Sequence, residues 1–366
     1  MDTTTTLVFV AVVGGRFLLP LLIPYYPLPA VVACLLLDGV DQTIFQLFGH
    51  DPPGYQAYDK AMDVYYLSIA FLATLRNWAS TPAFRIAWAL YFYRLVGALL
   101  FELLHVRWLL LVFPNVFEYF FIAYETVRSR WRPTSLLVGW WLSAAAVIWV
   151  FVKLPQEWWL HVAELDVTDE LGAHTWVVGP LIVLLGGLAL AFQKLVRPRL
   201  RPTDWDWRFR PEPLPEEIDE PEEQSAWRMR YDAVLSANTA EKVLLLGLVS
   251  CIFAQMLPDF EGSTANLFVG VSVAVVLNTA VTLAAARRRW TFRSTALAFA
   301  VRLLLSVVAA YVANWFLRGR LDGYDTLFFL TMISLITTLH DRWRPVREVR
   351  EVLAEGLPVP RLDVRR

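Results

Sequence analysis

The chain has 366 residues, of which 57% are hydrophobic, and its mean hydropathy is +0.46. This apolar share is well above that of an ordinary soluble domain, so the composition indicates a membrane protein. The formal net charge of −1 excludes a strongly basic surface, and we expect no nucleic-acid partner.

Apolar stretches of about 20 residues recur along the chain, and each is long enough to cross a hydrocarbon core of roughly 30 Å as a helix. Eleven such segments are predicted, at residues 6–25, 28–48, 60–78, 82–104, 107–126, 134–153, 175–196, 242–259, 264–286, 294–317 and 324–341. Backbone polar groups in lipid must find partners within the same segment. The sequence therefore predicts an all-α fold, a polytopic transmembrane helical bundle of about eleven helices.

An acidic, Pro-rich stretch at residues 198–241 separates the first seven segments from the last four. Its acidic block from Glu212 to Glu223 is typical of a solvated, poorly ordered linker, and a docking site for a protein partner is the alternative. We therefore divide the chain into an N-terminal seven-helix membrane bundle (1–197), a cytoplasmic linker (198–241), a C-terminal four-helix membrane bundle (242–345) and a cytoplasmic tail (346–366).

Lysine and arginine mark the cytoplasmic loops of membrane proteins. Four basic stretches are separated from one another by two predicted segments each, at residues 128–133, 193–202, 287–293 and 341–350. All four can therefore face the cytoplasm. This pattern predicts a multi-pass protein of the cell (inner or plasma) membrane, with its N-terminus outside and its C-terminus in the cytoplasm. The loops at 49–59 and 155–174 then lie outside.

Five aspartates fall within residues 38–63, which read DGVDQTIFQLFGHDPPGYQAYDKAMD. Asp38 and Asp41 share one helix face, Asp59 and Asp63 share another, and a short turn joins the two helices. Four converging carboxylates would repel one another, and a divalent cation is the usual remedy, so we predict a Mg²⁺ or Mn²⁺ site. The alternative is a structural role, in which helix N-termini and the neighbouring Lys60 stabilise the acids.

The spacing of these aspartates resembles that of a known family. The intervals of 3, 18 and 4 residues match the motif of the CDP-alcohol phosphotransferases. The resemblance implies that Asp38, Asp41 and Asp59 ligate metal. It also implies that Asp63 is a further ligand or the general base that deprotonates an acceptor alcohol. That motif has Gly, Ala, Arg and Gly at the places held here by Gln42, Phe45, Gln46 and Tyr55.

A second polar set lies in the fourth and fifth predicted segments. Arg94 is half-way along its segment, and Glu102 follows two turns later. Asn115, Glu118 and Glu125 form one stripe at helical spacing. We expect Arg94 and Glu118 to form a buried pair. The pair could fix helix packing, line a substrate or proton pathway, or leave Arg94 to bind a lipid phosphate.

Three functions remain open from the sequence. The first is a membrane enzyme that performs metal-dependent phosphotransfer on a lipid phosphate, with Asp63 and Arg94 as its catalytic residues. The second is a cation- or proton-coupled transporter or channel. The third is a membrane scaffold that acts through its linker. The expected partners are a membrane lipid and a divalent cation.

Overall fold

The computed structural model describes residues 3–48, 55–161, 178–191, 193–194, 198, 201–256, 263–287, 295–317 and 323–359. Regular secondary structure in these residues is helical throughout, which confirms the all-α prediction, and each predicted segment overlaps a helix. The helices are α1 (Thr3–Leu18), α2 (Pro27–Leu47), α3 (Tyr55–Asn77), α4 (Thr81–Leu104), α5 (Trp108–Val112), α6 (Val116–Arg128), α7 (Val138–Val147), α8 (Leu154–His161), α9 (Val178–Ala191), α10 (Pro221–Tyr231), α11 (Ala237–Met256), α12 (Thr264–Arg287), α13 (Thr295–Leu317) and α14 (Gly323–Ala354). A π-helical turn joins α7 to α8.

Fewer segments than predicted meet the length and composition of a membrane span. Within the described ranges, five helical stretches are long and apolar enough to cross a membrane: Pro27–Phe45, Thr81–Leu104, Trp108–Arg128, Val138–Trp159 and Ala237–Met256. The structure therefore supports several membrane-length apolar helices.

Helix α3 is not one of these five stretches, and it lies at the centre of the helical bundle. Nearly all its side chains from Ala61 to Leu75 are buried, because α2, α4, α11 and α14 pack around it. Its polar groups find partners in the protein: the Ser68 hydroxyl donates to the Val64 carbonyl at 2.6 Å and lies 2.8 Å from the Tyr91 hydroxyl. A less apolar helix is stable here because protein, rather than lipid, surrounds it.

One hydrophobic core includes side chains from both sides of the linker. Helix α14 packs along α3, and α11 packs against α4 and α12. Phe71, Leu245 and Ile336 all belong to the same buried cluster. The N-terminal and C-terminal helices are therefore joined through a shared core.

The fifth predicted segment, 107–126, is interrupted in the structure. Pro114 lies between α5 and α6, where its missing N–H and its ring break the helix. Asn115 caps α6, because its side chain accepts a hydrogen bond from the N–H of Glu118 at 3.4 Å. Of the predicted stripe, Glu118 and Glu125 lie two turns apart on α6, whereas Asn115 belongs to its cap.

The acidic linker is folded over residues 201–241, which differs from the expected solvated, poorly ordered segment. A capping box begins α10, in which the Glu220 N–H donates to the Glu223 carboxylate at 3.1 Å. Ile218 and Trp227 are buried in a small apolar cluster with side chains of α14. These two apolar side chains attach the linker to the bundle. The average composition of the linker, which is acidic, does not show them.

Helix α14 continues past its predicted end at residue 341 and past Pro345. Val346 and Val349 are buried under the linker. Arg347 Nη1 donates to the Trp78 carbonyl at 3.0 Å, at the turn between α3 and α4. The first part of the predicted tail is therefore a packed helix, because its apolar face and its arginine both have partners on the bundle.

Candidate functional site

Three helices bring one arginine and four aspartates together. Helix α1 supplies Arg16, α2 supplies Asp38 and Asp41, and α3 supplies Asp59 and Asp63. With a rise of about 1.5 Å per residue, Asp38 lies about 13 Å from the end of α2, and Asp63 lies about 12 Å from the start of α3. These two acids therefore lie about two helical turns from the ends of their helices, whereas Arg16 lies two residues before the end of α1.

Arg16 binds all four carboxylates through its two terminal nitrogens. Nη1 donates to Oδ2 of Asp41 at 2.6 Å and also to Asp59. Nη2 donates to Oδ1 of Asp63 at 2.8 Å and also to Asp38. These two nitrogens carry four N–H groups, so each aspartate takes one of them.

The four aspartates differ in their exposure. Asp41 has a side chain only 1% exposed, and its Oδ1 also accepts the backbone N–H of Gln42 at 2.6 Å. The side chains of Asp38, Asp59 and Asp63 are 38%, 35% and 46% exposed. The carboxylate of Asp41 is therefore buried, whereas the carboxylates of the other three are accessible to a ligand.

Asp38, Asp59 and Asp63 form what we call the aspartate triad. Each of them offers one carboxylate oxygen that lies within 4.8 Å of the others. Oxygen ligands lie about 2.0–2.6 Å from Mg²⁺ or Ca²⁺, so two ligands of one ion are at most about 4–5 Å apart. The triad has the donor type and the spacing that such an ion requires. Asp41, which was predicted as a ligand, lies outside this group.

The cluster also has an excess of negative charge. Four carboxylates against the single guanidinium of Arg16 leave a formal charge of −3 when all are ionised. Carboxylates this close to one another disfavour their own ionisation unless a further cation or a proton joins them. A further cation or a proton bound beside Arg16 would therefore relieve this repulsion.

Arg16 is the site residue that the sequence reasoning misses. It stands alone in the apolar run VVGGRFLLP, so the argument that singled out Asp38, an ionisable residue within an apolar segment, applies equally to it. Lys60, which the sequence offered as a partner for the acids, instead pairs with Glu102 at 2.9 Å.

The predicted pair of Arg94 and Glu118 does not form in the structure. Arg94 Nη1 donates to the Phe113 carbonyl at 3.0 Å, and Glu118 Oε2 accepts from Asn115 Nδ2 at 2.9 Å. The break before α6 explains the difference, because it leaves backbone carbonyls without helical partners, and Arg94 binds one of them.

Glu125 belongs to a separate buried group near the other end of α6. Its carboxylate accepts from Arg128 Nε at 2.6 Å and from Trp78 Nε1 at 2.9 Å. The rings of Phe121 and Tyr124 pack against Trp78. Glu118 and Glu125 therefore have different partners, although both lie on α6.

A small internal cavity of about 10 Å³ adjoins the cluster and is lined in part by Arg16, Asp38, Cys34 and Tyr66. This volume is about that of one water molecule. Tyr66 brings a hydroxyl group to the lining of this cavity.

Comparison of the chain with protein-family models, with curated proteins and with solved structures found no match. The similarity in aspartate spacing to the CDP-alcohol phosphotransferases stays a prediction, and the site is interpreted from its own geometry.

Proposed function

We propose that the protein is a multi-pass membrane enzyme that binds a divalent cation at the aspartate triad and performs phosphotransfer on a lipid phosphate. One observation carries the proposal: Asp38, Asp59 and Asp63 converge beside Arg16 inside an apolar helical bundle. Ionisable groups at this depth are costly to bury, and they are retained where they bind a ligand or an ion.

Mg²⁺ or Mn²⁺ is the cation that suits the triad, since all three donors are carboxylate oxygens. The bound ion would neutralise charge on the phosphate oxygens of the substrate. Asp41 is not needed as a ligand. It keeps Arg16 in place, because its buried carboxylate holds Nη1 at 2.6 Å.

Arg16 supplies the positive group that the aspartate spacing alone lacks. The CDP-alcohol phosphotransferase motif has an arginine where this chain has Gln46. The four N–H groups on the two terminal nitrogens of Arg16 are all donated to the aspartates, so Arg16 holds the acids together and offsets part of their charge, and the bound ion is left to contact the phosphate. Arg94 instead donates to the Phe113 carbonyl.

Asp63 takes the proton of the acceptor hydroxyl in this proposal. It is the most exposed member of the cluster, at 46%, so an acceptor can approach it more readily than the other aspartates. A general base must lie within hydrogen-bond reach of the proton that it removes. In this proposal the acceptor approaches Asp63 while the ion at the triad holds the lipid phosphate.

Metal binding is tested by thermal unfolding in detergent with added Mg²⁺ or Mn²⁺ and with chelator. An ion that binds only the folded state stabilises it by about 2.7 kcal/mol at a hundred times its Kd. We expect Asp38→Asn and Asp63→Asn to lose this response. Glu102→Gln removes a carboxylate that pairs with Lys60 rather than Arg16, so it should keep the response. If the wild type unfolds at the same temperature with metal and with chelator, the triad is not a metal site.

The reaction is tested in proteoliposomes that contain CDP-diacylglycerol, with glycerol 3-phosphate as the acceptor alcohol and release of CMP as the readout. We expect release that requires Mg²⁺ or Mn²⁺ and falls by about 100-fold or more in Asp63→Asn. If metal stabilises the protein but no CMP is released, the proposed cation site stands and this reaction is excluded.

Cation transport is the second candidate, and the acidic cluster with the small cavity beside it favours it. A buried ion pair, Lys153 with Glu157 at 3.3 Å, adds further charge within the Val138–Trp159 stretch. Uptake of Mn²⁺ into liposomes, lost in Glu118→Gln and retained in Glu102→Gln, would establish transport. Absence of uptake in a preparation that releases CMP would exclude it.

The orientation that we propose places the triad in the outer half of the membrane and the linker in the cytoplasm. It rests on the spacing of the basic loops. In a variant without Cys34 and Cys251, a cysteine at Thr168 should react with an impermeant reagent in intact cells. A cysteine at Asp206 in the linker should react only after permeabilisation. Labelling of the linker position in intact cells would reverse the orientation.

A further inference from the structure

A cleft of about 300 Å³ lies at the other end of the bundle from the aspartate triad. Its walls come from the end of α6, from the turn that follows α6, and from linker residues 205–212. Ala79, just after α3, also lines the cleft, so the cleft is about 20 Å along α3 from Asp63. It is therefore a second site, which the proposed phosphotransfer does not use.

The lining of the cleft is basic. Arg128, Arg132 and Arg208 contribute to it, against the single carboxylate of Glu212. Arg128 is buried and paired with Glu125, and Arg208 lies 3.6 Å from Glu212. Arg132 is exposed and forms no ion pair with the part of the chain that the structure describes. The lining of the cleft thus has three guanidiniums and one carboxylate, and a further acid, Asp204, lies close by, where its Oδ2 accepts the backbone N–H of Arg132 at 2.7 Å.

A tryptophan holds two of these guanidiniums in place. Trp205 Nε1 donates to the Arg128 carbonyl at 3.1 Å, which fixes the indole in the cleft. The guanidinium carbons of Arg208 and Arg132 lie 5.3 and 5.9 Å from its ring centroid. Stacking on one indole restricts both side chains before a ligand arrives, which lowers the entropy that binding costs.

We propose that this cleft binds a phosphate ester, with its oxygens held by Arg132 and Arg208. Guanidiniums bind phosphate through paired, charge-assisted hydrogen bonds, and the volume of the cleft exceeds that of a phosphate group. The cleft lies between the end of the Trp108–Arg128 stretch and the start of the Val138–Trp159 stretch, which is the level of lipid headgroups. The phosphate can therefore come from an anionic lipid or from a soluble molecule.

The test uses the full chain in nanodiscs of phosphatidylcholine, with the shift in thermal unfolding as the readout. One arm adds inorganic phosphate, and the other replaces part of the lipid with phosphatidate. We expect saturable binding that weakens about tenfold in Arg132→Gln and in Arg208→Gln. Arg130→Gln is the matched control, because it removes the same charge from a side chain that stacks on Trp207 instead, at 4.8 Å.

The outcomes separate the two sources and test the site itself. A response to phosphate assigns a soluble ligand, and a response to phosphatidate alone assigns a lipid. Arg132→Lys keeps the positive charge but lacks the paired N–H groups of a guanidinium, so it should bind more tightly than Arg132→Gln and less tightly than the wild type. This result would show that the affinity depends on the guanidinium group as well as on the charge. Equal loss in the Arg130→Gln control, or no response to either probe, would overturn the proposal. Asp63→Asn should bind as the wild type does, so this test is independent of the phosphotransfer.

Discussion

Replacing Arg16 by glutamine should destabilise the protein strongly, and the exposure of its four partners sets the size of the effect. Only the bond to Asp41 is fully buried, with side chains 5% and 1% exposed. Breaking a buried pair by removing one partner typically costs about 3–5 kcal/mol, because the remaining charge is left without compensation. The bonds to the triad are more than a third exposed and contribute about 0–1 kcal/mol each. We therefore expect a loss of about 3–8 kcal/mol, most of it from Asp41.

The measurement is denaturant-induced unfolding in detergent with chelator present, so that no metal takes the place of the guanidinium. Lys60→Gln is the control, since Lys60 also pairs with one acid but is 42% exposed, and its loss should cost about 1 kcal/mol or less. The double variant Arg16→Gln with Asp41→Asn should recover at least about 2 kcal/mol of the loss. If Arg16→Gln costs no more than Lys60→Gln, or if the two changes are additive, the buried bond is not what holds the cluster.

Gly97→Ala should cost about 1–3 kcal/mol of stability, because the added Cβ would lie 2.1 Å from Cβ of Phe113, which is too near the backbone to move aside. Gly270→Ala, where the added atom meets nothing within 4 Å, should instead leave stability unchanged or raise it by about 0.5–1 kcal/mol in the same unfolding assay. Arg94→Ala and Glu118→Gln should be additive within about 0.5 kcal/mol in a double-mutant cycle, since their side chains bind different partners. A coupling above about 1 kcal/mol would show that they interact directly.

The helical architecture follows from apolar segment length, which is why each predicted segment overlaps a helix. The positions where helices break depend on single residues, and the average hydropathy of a segment does not show them. Pro114 breaks the fifth segment, and the resulting free carbonyl redirects Arg94 away from Glu118. The linker shows the opposite effect, because Ile218 and Trp227 anchor it in spite of its acidic composition.

The aspartate cluster could be predicted because each pair of acids shares a face of one of two adjacent helices. Its counter-ion could not be predicted from such spacing, since Arg16 lies on a third helix and its partners are 22 to 47 residues away. Nearness in sequence instead suggested Lys60 as the counter-ion, but Lys60 pairs with Glu102. The separation of Asp41 from the triad likewise depends on burial, which is a property of the assembled helices.

The hydrogen bonds from α14 to the end of α3 and to the turn that follows it have a consequence for biosynthesis. Arg347 binds the Trp78 carbonyl across 269 residues of sequence, and Arg350 Nη2 binds the Arg76 carbonyl at 3.0 Å across 274. The first four helices leave the ribosome long before these arginines do, so the carbonyls of the turn have no arginine partner until the end of the chain is made. Helix α3 likewise gains α14, which covers one of its sides, only at that late stage.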